Sequence, residues 1–290
     1  MTPVIIEVAV NGVTTRGQNP NVPLTAEEIA ADAIACLDAG ATIVHAHCDP
    51  GGGTAEEVAG RYLDAFARVW EERPGALVYP TLNYDLNDRF GHLALLAAEG
   101  LRIGVLDPGS LNLRGVGPDG MPAGDSIYSN TFDTIRRAFA LHIEHGLGPS
   151  LAIYEPGFLR TALAFWRGGG LPPGAMIKLY LSSDRGLMGS PFGLPVTTTG
   201  LDAYLELLDG CPLPWAVSAV GNDLGRSDVL PYALARGGHV HIGLEFHGGD
   251  RRPSNVELVR EAAAVCADAG RPLATHQETV ALLDLPGGTP

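Results

Sequence analysis

The sequence predicts an α/β fold, a single (β/α)8 TIM barrel spanning residues 1–290. Three observations predict it. The 290 residues are 46% hydrophobic and 18% charged, which suits one large globular domain. Eight short apolar runs alternate with helix-like segments along the chain. No G-x-G-x-x-G turn follows the first run, so a closed barrel is favoured over a dinucleotide-binding sheet.

The elements follow from apolar periodicity and from turn and capping residues. The capping boxes of Thr25 with Glu28 and of Thr54 with Glu57 each predict a helix start. Residues 115–130 are rich in Gly, Pro, Asp and Ser, which predicts a surface excursion. Strands are predicted at 5–11, 43–49, 77–84, 103–106, 151–154, 176–182, 215–220 and 239–246. Helices are predicted at 25–37, 54–70, 93–98, 131–145, 159–166, 201–208, 228–235 and 255–269.

Composition limits the classes of partner. A net charge of −14 argues against nucleic acid or an anionic membrane, although a local site can still bind an anionic small molecule. The four cysteines are scattered without a C-x-x-C pair, which indicates reduced thiols in a cytoplasmic protein. No basic leader is recognisable, and no apolar run approaches the roughly 20 residues of a membrane span. We therefore expect a cytoplasmic protein that acts on a small molecule.

Two histidines lie one residue apart in the second predicted strand. Side chains alternate along a strand, so His45 and His47 point the same way and can offer two imidazoles to one metal ion. A lone His-x-His pair is equally compatible with hydrogen-bonded interior histidines. This motif alone leaves both interpretations open.

The last predicted strand adds a carboxylate. Alternation places His239, His241 and Glu245 on one face of that strand. In a closed barrel the eighth strand is one removed from the second, and a buried carboxylate needs a cationic partner. His45, His47 and Glu245 could therefore form a two-histidine, one-carboxylate metal site with open positions for substrate. The alternative is a salt bridge between Glu245 and an arginine.

Two long stretches carry a resemblance to a known family. The stretches NGVTTRGQNPNVPLTAEEIAADAIACLDAGATIVHAHCDPGGGT and GGHVHIGLEFHGGDRRPSNVELVREAAAVCADAGRPLAT resemble the beginning and the end of the β-keto acid cleavage enzymes, the 3-keto-5-aminohexanoate cleavage enzyme-like family. Between them, GSLNL, GLGPSLAIYEPGFLRTAL and WAVSAVG follow the family's order. The resemblance implies a homo-oligomeric barrel, dimeric or tetrameric, that binds Zn2+ through His45, His47 and Glu245. It also implies that a β-keto acid reacts with acetyl-CoA by Claisen and retro-Claisen steps, which yield acetoacetate and a new acyl-CoA.

The chain departs from the family pattern in its acid–base residues. The family's eighth strand carries an arginine and an aspartate that act as a dyad, and His241 and Phe246 occupy those positions here. The arginine that usually follows the metal histidines is replaced at Cys48 and Asp49. Two alternatives follow: altered chemistry on a different substrate, or a metal-binding barrel that has lost the family's catalysis.

Candidate catalytic residues follow from these departures. His241 could be a replacement base, because imidazole titrates near neutral pH, or an additional metal ligand, or only an interior side chain. Glu155 could substitute for a family glutamate whose position holds Ala152. Thr81 matches the serine or threonine at the end of the family's third strand, and Asn83 beside it is predicted to contact substrate.

The remaining candidates are substrate contacts. Asn11 and Asp107 follow or end predicted strands and are expected to face the site. Lys178, the only lysine, lies in the sixth predicted strand, where it could form a Schiff base and act as a metal-free aldolase. We favour instead an ion pair with Glu155 or Glu7, or contact with a substrate carboxylate.

Overall fold

The computed structural model describes residues 2–48, 51–85, 88–113, 115–184, 186, 189–190 and 192–287. Eight parallel strands alternate with helices, which confirms the predicted barrel. The barrel strands are β1 (Ile6–Ala9), β2 (Ile43–Ala46), β3 (Leu77–Pro80), β4 (Ile103–Leu106), β5 (Gly148–Ile153), β6 (Met176–Ser182), β7 (Trp215–Val220) and β8 (His239–Ile242). The helices are α1 (Ala26–Asp38), α2 (Ala55–Glu72), α3 (Gly91–Ala98), α4 (Phe132–His145), α5 (Pro156–Arg167), α6 (Thr198–Leu207), α7 (Val229–Ala235), α8 (Asn255–Asp268) and α9 (His276–Leu283).

The strand order places the predicted metal ligands at one end of the barrel. The hydrogen-bonded order is β3-β2-β1-β8-β7-β6-β5-β4, and β3 and β4 lie side by side to complete the ring. β1 therefore separates β2 from β8: Ala9 is in register with His45, and Glu7 is in register with His241. In a parallel barrel the carboxyl ends of all strands meet at one face, which is where barrel enzymes place their sites.

The helices form where capping and apolar periodicity coincide. Both predicted capping boxes are present, with each threonine side chain accepting from the backbone N–H of its partner glutamate. The apolar stripe of α2, which includes Tyr62 and Phe66, is buried. Each such side chain contributes about 1.5–3 kcal/mol when fully buried.

No helix in the described part of the chain is long and apolar enough to cross a membrane.

The structure corrects the sequence prediction in several places. The eighth strand ends at Ile242, so the predicted alternation through Glu245 is wrong; Gly243, at φ +138°, turns the chain out of the strand. A Cβ at Gly243 would collide with the backbone of Ala9, so only glycine fits this turn. Helix α9 was not predicted. The predicted excursion is a mostly exposed segment, framed by a short antiparallel pairing of Leu111–Asn112 with Ile127–Tyr128.

Candidate metal centre and active site

Three potential metal ligands meet at the carboxyl ends of β2 and β8. Nε2 of His45 lies 3.4 Å from Oε2 of Glu245, and Nε2 of His47 lies 3.2 Å from Oε1. All three ligand atoms lie within 4.8 Å of one another, and no other such His, Cys, Asp or Glu group occurs among the described residues. Ligands at about 2.0–2.1 Å from a tetrahedral zinc ion are roughly 3.3 Å apart. The observed spacing therefore suits one divalent ion.

The orientation of His45 also suits a metal ligand. Its Nδ1 lies 3.2 Å from the carbonyl oxygen of Tyr79, and its ring stacks on the Tyr79 ring at 4.5 Å. An Nδ1–H that donates to this carbonyl leaves the lone pair of Nε2 facing Glu245. Burial lowers the pKa of His45 to about 3, so its imidazole is neutral at physiological pH.

The Glu245 carboxylate is buried, and among the described residues no lysine or arginine pairs with it. Its side chain is 10% exposed, and in the part of the chain that the structure describes its ion-pair partners are the two histidines, not an arginine. Among the same residues, its Oε2 has no hydrogen-bond partner. A divalent metal ion would supply the missing positive charge, so the residues present fit such an ion.

The turn that carries Glu245 is held against the end of β1. The N–H of Glu245 donates to the carbonyl of Ala9 at 3.2 Å, and the Thr14 hydroxyl donates to the carbonyl of Leu244 at 2.7 Å. Gly12 has φ +55°, and a Cβ there would collide with the Glu245 side chain. A glycine is therefore required on each side of this contact, at Gly12 and Gly243.

A cavity of about 290 Å³ opens beside the three ligands. Its lining combines polar and charged side chains with five aromatic residues, Tyr84, Tyr128, Tyr154, Tyr180 and Phe246. Cavities of about 410 and 430 Å³ lie elsewhere, one between α4 and α5 and one at the opposite end of the barrel, and neither is lined by a metal-ligand cluster of described residues. The central cavity therefore has room for a small substrate next to the ligands.

Besides the three potential metal ligands, four of the predicted catalytic or substrate-contact residues line the central cavity: Thr81, Asn83, Asp107 and Lys178. The amide of Asn83 is used by backbone groups, because its Nδ2 donates to the carbonyls of Gly53 and Asp88 at 2.9 Å. In contrast, Oδ1 of Asp107 has no hydrogen-bond partner among the described residues.

Lys178 forms an ion pair with Glu7, one of the two carboxylates proposed from the sequence. Its Nζ lies 3.3 Å from Oε1 of Glu7 and 2.7 Å from the Tyr79 hydroxyl, which itself donates to Glu7. Burial alone would raise the pKa of Glu7, but the neighbouring Lys178 and His241 hold it well below its usual range. Two of the three ammonium protons are thus engaged.

His241 does not reach the central cavity. It is fully buried, its Nε2 lies 3.3 Å from Oε1 of Glu7, and its ring stacks on Tyr180. Phe246 lines both the central cavity and the much smaller one beside His241, so it lies between them. Burial lowers the pKa of His241, which keeps its imidazole neutral.

Glu155 and Asn11 also do not line the central cavity. Glu155 is the residue before α5, its Oε1 accepts from the N–H of Gly193 at 2.9 Å, and it lines a separate open pocket. The Asn11 amide is turned towards backbone groups. His239 has a structural contact, because its Nδ1 accepts from the N–H of Ile5 at 3.0 Å. Asp49, one of the two residues in place of the family's arginine, lies outside the described residues.

Arg89 and Tyr128 are among the cavity residues that the sequence did not predict. Arg89 lines the cavity with its guanidinium 5.2 Å from the centre of the Tyr128 ring, and it donates to the carbonyl of Ser129 and to Asn130. Tyr128 in turn donates to Oδ2 of Asp107 at 2.5 Å. Tyr128 lies in the predicted surface excursion, and its position after the fourth strand was the only signal that it could face the site.

Comparisons with known proteins bear on the family and on the fold. A family model described as "beta-keto acid cleavage enzyme" matches residues 3–285. The "3-keto-5-aminohexanoate cleavage enzyme" of Fusobacterium nucleatum is 26% identical over 98% of this chain and 99% of its own length. The "3-oxoadipate:acetyl-CoA acetyltransferase" of Cupriavidus necator is 28% identical, over 98% of this chain and 95% of its own. The structure titled "Apo structure of ObcA" matches with a TM-score of 0.65 at 15% identity, over 92% of this chain and 66% of that longer one, which supports the fold alone.

Proposed function

The chain belongs to the β-keto acid cleavage enzyme family, and on that premise we propose that it transfers an acyl group between a β-keto acid and acetyl-CoA at a zinc ion. The ion would be held by His45, His47 and Glu245. The observation that carries the proposal is the spacing of these three ligand atoms, within 4.8 Å of one another beside a cavity of about 290 Å³.

The proposed reaction balances without a further reactant. The β-keto acid gives up its acyl group to CoA, and the acetyl group of acetyl-CoA joins the two-carbon remainder to form acetoacetate. When bound, zinc supplies Lewis-acid polarisation of the substrate ketone and stabilisation of the enolate that cleavage leaves. Two imidazoles and one carboxylate would leave a coordination position for substrate.

The cavity residues have roles that their contacts support. Lys178 has one ammonium proton beyond those given to Glu7 and Tyr79, and it would donate this proton in a hydrogen bond to the substrate carboxylate. Thr81 would contact the remainder of the substrate. So would Asp107, because its Oδ1 has no hydrogen-bond partner among the described residues. His241 would act indirectly, by helping to hold Glu7 in place.

The deciding experiment measures metal content and turnover together. The purified protein, prepared without chelator, is compared with a His45→Ala/His47→Ala variant and with a matched His145→Ala/His276→Ala variant, whose histidines are exposed. We expect stoichiometric zinc in the wild type and in the matched variant, and loss of zinc when the two ligands are removed. Turnover of 3-keto-5-aminohexanoate and 3-oxoadipate is then followed with and without acetyl-CoA.

Each outcome separates the proposal from its alternatives. A metal-free wild type would contradict the proposed site. Covalent trapping of substrate on Lys178 by borohydride would support the Schiff-base aldolase instead. Metal binding without turnover of any β-keto acid would support a barrel that has lost catalysis. The single-domain organisation, the homo-oligomeric state and the cytoplasmic location stay predictions from the sequence, and gel filtration tests the second of them.

A further inference from the structure

The side chain of Asn11 holds the backbone of His47 on both sides. Its Oδ1 accepts from the N–H of His47 at 2.8 Å, and its Nδ2 donates to the carbonyl of His47 at 2.9 Å. Oδ1 also accepts from Gly12, and Nδ2 also donates to Pro23. Asn11 is 2% exposed. All the hydrogen-bonding capacity of this amide is therefore used within the protein.

The Asn11 side chain binds the backbone of His47 just beyond the last paired residues of β1 and β2. Strand β2 ends at Ala46, so the backbone of His47 lies beyond the regular pairing of β1 with β2. A backbone segment outside a ladder has no fixed neighbour, and its side chain is correspondingly free to move. The Asn11 amide offers one acceptor and one donor to His47, as a neighbouring strand would.

Asn255 does the same for the turn that carries Glu245. Its Oδ1 accepts from the N–H of Leu244 at 2.9 Å, and its Nδ2 donates to the carbonyl of Val10 at 2.8 Å. The same Nδ2 lies 2.6 Å from Oδ2 of Asp32. Asn255 is fully buried at the start of α8.

Both asparagines connect the ligand-bearing segments to the end of β1. Besides the contact of Ala9 with Glu245, the N–H of Val10 donates to the carbonyl of His45 at 2.9 Å. Residues 9–11 therefore contact the backbone of all three ligands, directly or through one side chain, although β1 supplies no ligand itself. The central position of β1 between β2 and β8 makes this geometry available.

We propose that Asn11 and Asn255 are positioning residues of the metal centre: they hold His47 and Glu245 in a binding geometry before an ion is present. This inference rests on the proposed metal-binding role of the three ligands. It replaces substrate contact as the role of Asn11. Groups that orient metal ligands typically change metal affinity by about 10- to 100-fold when they are removed.

The test compares two buried asparagines from the same connection. Asn19 is 4% exposed, donates to the carbonyl of Pro253 at 2.9 Å and accepts from the N–H of Asn21, but contacts no metal ligand. Zinc dissociation constants are measured by competition with a chromophoric chelator for the wild type, Asn11→Ala and Asn19→Ala. The thermal midpoint of each metal-free protein reports the purely structural cost.

We expect both variants to lower the thermal midpoint, but only Asn11→Ala to weaken zinc binding, by about 10- to 100-fold. Asn11→Ser, which keeps one hydrogen-bonding group, should lie between wild type and alanine. It also serves as the test if Asn11→Ala does not fold. Asn255→Ser tests the second asparagine independently, because it supports Glu245 and not His47.

Two results would contradict the inference. One is an unchanged zinc affinity in the Asn11 and Asn255 variants. The other is an equal loss of affinity in Asn19→Ala, which would show a general effect of destabilisation. If the wild type itself binds no zinc, the proposed metal site fails, and that result is distinguishable from failure of the positioning role.

Discussion

Replacing Lys178 with methionine tests the buried ion pair at the centre of the barrel. The Lys178 ammonium lies 3.3 Å from the Glu7 carboxylate, and the two side chains are 2% and 1% exposed. Removing one partner of a buried pair leaves the other charge without compensation, which costs about 3–5 kcal/mol. We expect Lys178→Met to lower the free energy of unfolding by about this amount at mildly alkaline pH, where His241 stays neutral and cannot replace the lost cation.

A second substitution should restore most of this loss. Glu7→Gln removes the stranded charge but keeps an oxygen that can accept from Tyr79. Neutral replacements for both members of a buried pair are often tolerated with little loss of stability. The Glu7→Gln/Lys178→Met variant should therefore be more stable than Lys178→Met alone.

Urea unfolding followed by circular dichroism measures these differences, provided that the m-value is unchanged. Arg236→Met is the matched control, because Arg236 also lies 3.3 Å from a carboxylate, that of Asp202, but these side chains are 49% and 47% exposed. An exposed pair contributes about 0–1 kcal/mol. The reasoning is refuted if Lys178→Met costs no more than Arg236→Met, or if the double variant is no more stable than the single one.

The double variant also separates two roles of Lys178. If the lysine only balances the charge of Glu7, the refolded double variant should keep the wild-type KM for a β-keto acid. If the ammonium contacts the substrate carboxylate, KM should stay raised although stability is restored. A wild-type KM in the double variant would contradict the proposed substrate contact.

Three further predictions follow from single contacts. Burial raises the pKa of Asp32 from 3.8 to about 6, so the folded state binds its proton more readily than the unfolded state and stability falls as pH rises from about 4 to 6. At about 1.4 kcal/mol per pKa unit, Asp32→Asn should reduce the fall in the free energy of unfolding over this pH range by about 1–3 kcal/mol. The same pH–stability profile in the variant and in the wild type would contradict this prediction. Gly243→Ala should strain the turn that carries Glu245 by about 1–3 kcal/mol and weaken binding at the proposed metal site. Thermal melting measures the strain, and metal analysis measures the binding. Full metal retention would refute the requirement for glycine in this turn. Tyr128→Phe removes the hydrogen bond to Asp107, worth about 0.5–1.5 kcal/mol, so kcat/KM should fall by up to roughly tenfold. An unchanged kcat/KM would separate Asp107 from substrate binding.

The sequence alone was sufficient to predict the barrel, and it pointed to the three side chains that we propose as metal ligands. The alternation of apolar runs and helical stripes is a local property, and eight such units without a G-x-G-x-x-G turn favour a closed barrel over a doubly wound sheet. His45 and His47 could be predicted to point the same way because a strand places alternate residues on one side. Glu245 was predicted as a ligand from strand alternation, whereas its position beside the two histidines depends on the turn at Gly243.

Only the tertiary structure decided which polar side chains line the central cavity and which hold the scaffold. Asn11 and Asp107 both lie at the ends of strands in the sequence, yet one is bonded to His47 and the other lines the cavity. Periodicity placed His241 inside the barrel but could not tell that Phe246 separates it from the cavity. The deciding contacts join residues far apart in the chain: Lys178 meets Glu7 across 171 positions, and Asn255 meets Val10 across 245. Local patterns determine the direction of a side chain relative to its own strand, whereas its partner depends on the packing of all eight strands.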